Sequence, residues 1–373
     1  MMDNKLYIIC WKYAPTTAIF QRNYALAQGL VNHGVNVACV YLMSSGEQPT
    51  EKDSVRHVLL GDSNKKYGKI LCLLISIFQM LKLVKNDKII LSSLITPLML
   101  VMQWFKGRNL YIESNEFPPY VLSKKRFGRL QLLIYLYVCR RCAGILTISK
   151  GLKKYFISQG VDESRIEVVN MVVDTKRFDT IEKEIGVEQY VAYCGTVSNF
   201  KDGVDVLLQS FALLSIQKPD IKLYILGKTP RVCDRDRNAA IIEENCLKDK
   251  VFMPGEVSGY KMPAYLKNAQ VLALARPDNV QAKYGFPTKL GEYLLTGNPV
   301  LLTDVGEMNY YLQDGYSCIF AKPNDPVDFS SKLLWILDHP EEAAEIGRRG
   351  REVALANFNG YTESLKMKTF IYG

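Results

Sequence analysis

The chain is poor in histidine, with three in 373 residues (His33, His57 and His339). Its nine cysteines follow no framework spacing. The Cys139-Arg140-Arg141-Cys142 pair has no second pair to complete a tetrahedral zinc site, so it reads as part of a helix face. Thiols without a disulfide pattern fit a reducing cytoplasm. Long hydrophobic runs are also missing. The most apolar segment, residues 70–84, is short and holds Gln79 and Lys82, which argues against a membrane-spanning helix. The opening MMDNKLYIICW lacks the basic-then-apolar layout of a signal peptide and reads as a first strand. No internal repeat or low-complexity segment occurs, and no G-x-G-x-x-G follows the first strand, which speaks against a classical dinucleotide site.

What remains is a globular composition, 48% hydrophobic and 23% charged, on a chain long enough for two cores. The net charge of +9 is unevenly placed. Residues 1–179 carry 25 basic against 13 acidic side chains, or +12; residues 180–373 carry 22 against 25, or −3. The excess gathers at Lys65-Lys66, Lys124-Lys125-Arg126, Arg129 and Arg140-Arg141. Such a half suits an anionic membrane surface, or simply a solvated basic face. A nucleic-acid role is the weakest reading, because no aromatic-plus-arginine stacking motif accompanies the charge.

The pattern along the chain is strand, loop, helix, repeated. Residues 6–11 read as a strand, 12–22 as a loop, 23–33 as a helix closed by Gly34, and 35–42 as a second strand. Residues 44–66 read as polar and irregular, 67–85 as a helix, 88–94 as a strand, 97–106 as a helix and 109–113 as a strand. A long basic and apolar helix is expected over 124–141, either lying on a membrane interface or packed by its apolar face. After a charged linker at 180–188 the pattern restarts with a strand at 190–194 and a helix at 204–214. The expected class is α/β, with two Rossmann-like domains. We place the first domain at residues 1–180 with the tail 358–373, and the second at 181–357.

The most informative stretch is LALARPDNVQAKYGFPTKLGEYLLTGNPVLLTDV, residues 272–305. Residues 271–275 form a short apolar strand, Gly285-Phe286-Pro287-Thr288-Lys289 leads into a helix at 290–295, and Pro299 opens the next strand. Thr288 is a natural N-cap, and Lys289 and Glu292 stand one turn apart on one face. A helix start offers N–H groups to an anion, and loops at the carboxyl ends of parallel strands are where open α/β sheets bind ligands. A cation for phosphate and a carboxylate for ribose hydroxyls suit a nucleotide.

This stretch resembles the nucleotide-sugar signature of retaining glycosyltransferases of family 4, which have the GT-B fold: two Rossmann-like domains across a cleft, with the last helix crossing back to the first domain. Glu292 matches the second Glu of that signature, and Gly285-Phe286 match its Gly-Phe; Tyr284 stands where the first Glu belongs. A Pro-Thr-Lys-Leu-Gly-Glu-Tyr subgroup is closer still. The resemblance implies a donor site of Gly195, Thr196, Lys201, Arg276, Gly285, Phe286, Pro287, Thr288, Lys289 and Glu292. The family has an Arg where this chain has Thr196, a charge that Arg276 or Lys289 is placed to supply. Lys201, which matches the family Lys, reads otherwise as a surface lysine at a helix start. The acceptor side implied is Thr16, Thr17 and Arg22 in the first loop, with Asn115 and Glu116 in an Asn-Glu-Phe-Pro element. Arg22 reads equally as a solvated charge at a helix start. Glu116 binds an acceptor hydroxyl, takes its proton, or caps the next helix. Asn170, Asp174 and Phe178 follow the spacing that closes the family's first domain.

The implied reaction moves a sugar from a nucleotide-sugar donor to a saccharide or lipid-linked acceptor with retention, without metal or other cofactor. Lys201 and Glu116 are the catalytic candidates, with Lys201, Lys289 and the helix starts at Val204 and Leu290 facing the charge on the leaving diphosphate. The two flanking carboxylates of a glycoside hydrolase are not identifiable. The expected setting is cytoplasmic, peripheral on the inner face of the membrane, in assembly of a surface polysaccharide. The alternatives are a GT-B epimerase or phosphorylase, and a catalytically silent nucleotide-sugar-binding subunit.

Overall fold

The computed structural model describes residues 5–15, 17–43, 55–61, 69–84, 87–92, 94, 96–182, 184 and 188–373. Thr16 and the Lys65-Lys66 pair therefore lie outside the described residues. The chain divides into two compact units: residues 1–173 with 284–286 and 359–373, and residues 174–283 with 287–358.

In the first unit the order is β1 (Leu6–Lys12), α1 (Ala18–Asn32), β2 (Val37–Met43), β3 (Arg56–Leu59), α2 (Lys69–Leu83), β4 (Lys88–Leu91), α3 (Thr96–Lys106), β5 (Leu110–Ser114), α4 (Pro118–Ser123), α5 (Gly128–Cys139), β6 (Gly144–Thr147), α6 (Lys150–Ser158) and β7 (Ile166–Val168). Its seven strands are all parallel, in the order β3-β2-β1-β4-β5-β6-β7. Alternation along β1 sends Tyr7 and Ile9 to one apolar layer, with Met80, Met99 and Phe156, and Leu6 and Ile8 to the other, with Leu26, Leu30 and Ile371.

Three expectations need correction here. The helix expected from Asn23 begins at Ala18, because Thr17 Oγ1 accepts the amide of Phe20 and caps it, so Arg22 lies inside α1 and not in a loop. The long helix expected over 124–141 is two: Pro118 and Pro119 preset the first turn of α4, and Phe127 takes a left-handed backbone (φ 59°) before α5. The stretch read as irregular contains the short edge strand β3, whose four residues pair with β2.

The second unit runs β8 (Tyr190–Cys194), α7 (Asn199–Asp202), α8 (Val204–Gln217), β9 (Lys222–Leu226), α9 (Val232–Glu244), β10 (Val251–Gly255), α10 (Met262–Asn268), β11 (Val271–Leu274), α11 (Val280–Tyr284), α12 (Lys289–Leu295), β12 (Val300–Thr303), β13 (Ile319–Ala321), α13 (Pro326–Asp338) and α14 (Pro340–Asn357). Its sheet is parallel in the order β10-β9-β8-β11-β12-β13, the doubly wound arrangement of a Rossmann fold. The short α7, not foreseen, is capped by Ser198, whose hydroxyl accepts the amide of Lys201.

The last helix, α15 (Gly360–Tyr372), belongs to the first unit. Val173 pairs with Asn359, and Tyr111 donates to the carbonyl of Ile371 at 3.2 Å. The helix lies so close to α1 that a Cβ on Gly29 would stand 2.2 Å from Ser364 Oγ and 2.5 Å from the carbonyl oxygen of Gly360. Gly29→Ala should therefore push α15 off α1 and destabilise the first unit by about 1–3 kcal/mol, an overpacking cost. Urea denaturation checks this; an unchanged midpoint would mean the helices re-seat freely.

Candidate functional site

In the second unit, β8 and β11 are neighbours at the point where strand order reverses, and the loops leaving their carboxyl ends are where such a sheet binds ligands. The β8 loop is Gly195, Thr196, Val197, Ser198; the β11 loop begins Ala275, Arg276, Pro277. Tyr293, fully buried in α12, ties this helix to β8: its hydroxyl accepts the amide of Cys194 (2.6 Å) and lies 3.1 Å from that residue's carbonyl oxygen. That anchor aims Lys289, the first residue of α12, beneath the β8 loop. Gly195 takes a backbone (φ +140°) that other residues rarely adopt, and a Cβ on it would meet the tip of Lys289, Cε at 2.6 Å and Nζ at 2.7 Å.

Lys289 Nζ donates to Asp202 Oδ2 at 2.6 Å and to the Tyr193 hydroxyl at 2.8 Å. The Tyr193 hydroxyl in turn lies 2.7 Å from the Thr196 carbonyl oxygen and 2.9 Å from Asp202 Oδ2. Arg276 is almost fully buried, and its Nε reaches the Lys201 carbonyl oxygen at 3.4 Å. Its Nη1 is buried and has no hydrogen-bond partner among the described residues. Burial pushes the Asp202 carboxyl up, but Lys289, Arg276 and Lys201 together pull it below the ordinary carboxylate range. Burial pulls the Lys289 ammonium down, against the opposing pull of Asp202. The Tyr193 hydroxyl is pushed well up, first by burial and then by Asp202, and stays protonated. One carboxylate thus faces three cations. Arg276 and Lys289 alone outnumber the one buried carboxylate, and such a surplus at a sheet's carboxyl edge favours an anion.

Glu292, one turn along α12, does not share this cluster. It is paired with Arg177, whose Nη2 also donates to the Gly259 carbonyl at 3.0 Å. Lys289 and Glu292 therefore serve different partners, although they share a helix face. Thr288 is exposed and makes no side-chain cap bond. Pro287 is buried, and Thr196 is exposed. The structure thus gathers Gly195, Lys201, Arg276 and Lys289, and adds Asp202 and Tyr193, which sequence reasoning missed. Asp202 had a signal, its place between Lys201 and Gly203 in the same loop. Tyr193 had none, since it reads as one more apolar strand position.

The first unit holds the other candidates. Arg22 is 3% exposed: Nε pairs with Glu113 Oε1 at 3.0 Å, Nη2 donates to the Val169 carbonyl at 2.8 Å, and Nη1 donates to that of Asn170. All three nitrogens are engaged in joining α1 to β5 and to the segment after β7, so the reading of Arg22 as a solvated or ligand-facing charge is corrected to a buried ion pair. The Thr17 hydroxyl is spent on the α1 cap and on the Ala14 carbonyl (2.8 Å). Glu116 is exposed beyond β5, and Asn115 Oδ1 is buried without a hydrogen-bond partner among the described residues. Gly285 and Phe286 group with this unit, as does Tyr284, whose ring stacks on Phe117 with centroids 4.2 Å apart. Among the described residues no group of three or more His, Cys, Asp or Glu side chains is placed to hold a metal ion, and no helix is long and apolar enough to cross a membrane.

Residues 176–353 match the family described as "Glycosyl transferases group 1", and residues 21–177 match "Glycosyltransferase Family 4". D-rhamnosyltransferase WbpZ of Pseudomonas aeruginosa is 23% identical over 175 residues, 47% of this chain and 42% of that protein, so the match spans less than half of the relative's length. Sucrose-phosphate synthase from Thermosynechococcus elongatus has a similar fold (TM-score 0.77, 16% identity, 98% of both chains). So has Anabaena Alr3699/HepE in complex with UDP and glucose (TM-score 0.75, 13% identity, 98% of both chains). The α/β fold is the GT-B class expected from the sequence.

Proposed function

This chain belongs to the group 1 glycosyltransferases of family 4, and from that premise we propose that it transfers a sugar from a nucleoside diphosphate sugar to a saccharide or lipid-linked acceptor, with retention of configuration and without metal. The observation that carries the reading is the cluster of Lys289 and Arg276, with Lys201 beside them, around the buried Asp202. A leaving diphosphate gains negative charge as the glycosidic bond breaks, and cations already fixed in place stabilise that charge without reorganising at the moment of reaction. Lys289 reaches the β8 loop where the family keeps an arginine, so the missing charge at Thr196 is supplied from α12. A fold neighbour carrying UDP and glucose supports the donor class. Glu292, oriented by Arg177, is the ribose ligand, and Glu116 is the group for an acceptor hydroxyl. The setting that fits is the inner face of the cell membrane, in assembly of a surface glycoconjugate.

Thermal-shift titration with UDP, GDP, ADP, CMP and their sugar conjugates tests the reading. A ligand bound only by the folded state at a hundred times its Kd adds about 2.7 kcal/mol of stability. One nucleotide class should raise the midpoint of the wild type and raise it far less in Glu292→Ala. Product from a labelled nucleotide sugar, with its anomeric configuration assigned by NMR, then tests transfer and retention. Because Tyr284 and Thr196 replace the family's Glu and Arg, a silent binding subunit is the second reading; nucleotide binding without product would favour it.

A further inference from the structure

We propose that Tyr284 is a positioning residue: its ring, stacked on Phe117, fixes the short loop that presents Glu116 to the acceptor. The acceptor part rests on the reading of Glu116 as the group for an acceptor hydroxyl; the fixing of the loop does not.

The loop leaves β5 at Ser114, which pairs with Thr147 of β6, and ends at Pro118 and Pro119, whose rings preset the first turn of α4. Asn115, Glu116 and Phe117 stand between these fixed ends. Glu116 is exposed, and Asn115 Oδ1 is buried without a hydrogen-bond partner among the described residues. The Ser114 hydroxyl donates to the Glu116 carbonyl at 3.5 Å, the long end of the range. Phe117 is the apolar member of the three, so its packing decides where the chain carrying Glu116 runs.

That packing is aromatic on two sides. The Phe117 and Tyr284 rings lie parallel, with planes within 6°. Tyr155 of α6 stands edge-on to both, 5.0 Å from Phe117 at 73° and 6.1 Å from Tyr284 at 68°. A stacked face and a perpendicular edge are the contacts that ring quadrupoles favour, and together they confine Phe117. Tyr284 is in turn held by its backbone. The hydroxyl of Ser149, fully buried at the N-cap of α6, donates to the Tyr284 carbonyl while it accepts the amide of Leu152 at 3.0 Å. A bond to a carbonyl does not depend on the side chain, so position 284 is brought to this place whatever residue it carries, and the ring is what tyrosine adds. A glutamate there would offer Phe117 no face and would set a half-buried carboxylate against two rings. The tyrosine that stands where the family signature has Glu is thus accounted for by what it touches.

Hydrogen exchange and kinetics on the full chain test this. The amides of Tyr120 and Val121 donate to the Phe117 carbonyl at 3.1 and 3.2 Å, so they report on the loop. In Tyr284→Leu they should exchange about tenfold faster, with the rest of the first unit as in the wild type. Tyr284→Phe keeps the stack and should keep the wild-type rates. Tyr284→Glu, which restores the signature residue, should be at least as disturbed as Tyr284→Leu. With octyl glucoside, galactoside and mannoside as acceptors, Tyr284→Leu should lower kcat/KM for the acceptor about tenfold to a hundredfold. KM for the nucleotide sugar and the thermal shift by its nucleotide should not move. Phe117→Leu should match it, and the double variant should be no worse than either, because both act through one stack. A weaker nucleotide response in Tyr284→Leu, with Tyr120 and Val121 unchanged, would make Tyr284 a donor ligand and overturn the inference. So would an equal loss in Tyr284→Phe, additive losses in the double variant, or exchange that rises evenly through the first unit. Faster exchange at Tyr120 and Val121 with intact acceptor kinetics sinks the reading of Glu116 alone. A wild type that forms no product counts against glycosyl transfer alone, since the exchange comparison still decides whether Tyr284 fixes the loop.

Discussion

Lys289→Ala should lower kcat/KM for glycosyl transfer by about a hundredfold to a thousandfold, the loss found when one fixed charge-stabilising donor is removed from a transition state. The ammonium is the cation most completely held in place: it is bonded to Asp202 and Tyr193 and threaded under Gly195. Steady-state kinetics with the nucleotide sugar identified by thermal shift measures the effect. If the loss were only a lower melting temperature, with kcat/KM per folded molecule intact, Lys289 would be no more than a counter-ion for Asp202.

The pH dependence sharpens this test. Burial lowers the pKa of Lys289, so its charge is lost as pH rises through a value below the ordinary lysine range, and diphosphate affinity should fall there. Asp202 is the main group opposing that shift. Asp202→Asn should therefore move the alkaline limb of nucleotide binding to lower pH. On the acid side the sign reverses. The Asp202 pKa is depressed in the folded state, so its contribution to stability is fully present above the unfolded value of about 3.9 and is lost as pH falls through the lower folded value. That acid loss should be smaller in Asp202→Asn.

Legibility followed the range of the interactions. Strands β8 and β11 stand where the apolar runs put them, because a buried parallel strand declares itself by composition alone. The corner at Phe127 was hidden, since a left-handed phenylalanine contradicts local propensity and only the packing of α4 and α5 requires it. At the site, Lys289 could be picked out by its place at a helix start, and Arg276 by its place after β11. What no spacing could convey is that Lys289 reaches Asp202, 87 residues away in sequence, while Glu292 turns to Arg177, 115 away. Arg22 failed for the same reason, since its partners Glu113, Val169 and Asn170 come from distant elements.

Arg22→Met should destabilise the first unit by about 3–5 kcal/mol, because it strands a buried carboxylate. The Arg22 and Glu113 side chains are each 4% exposed, and the guanidinium also holds the carbonyl oxygens of Val169 and Asn170. In a domain of this size such a loss lowers the melting temperature by on the order of 10 °C. Hydrogen exchange would place it, with protection falling in α1, β5 and the segment after β7. An acceptor ligand behaves differently: KM for the acceptor would rise while exchange in these elements stayed as in the wild type. The partner supplies a further check. Replacing Glu113 by Met together with Arg22 removes both charges and fills the space with apolar atoms, so the double variant should recover much of the single variant's loss. A double variant no more stable than Arg22→Met would mean that the carbonyls of Val169 and Asn170, and not the buried carboxylate, are what Arg22 chiefly serves.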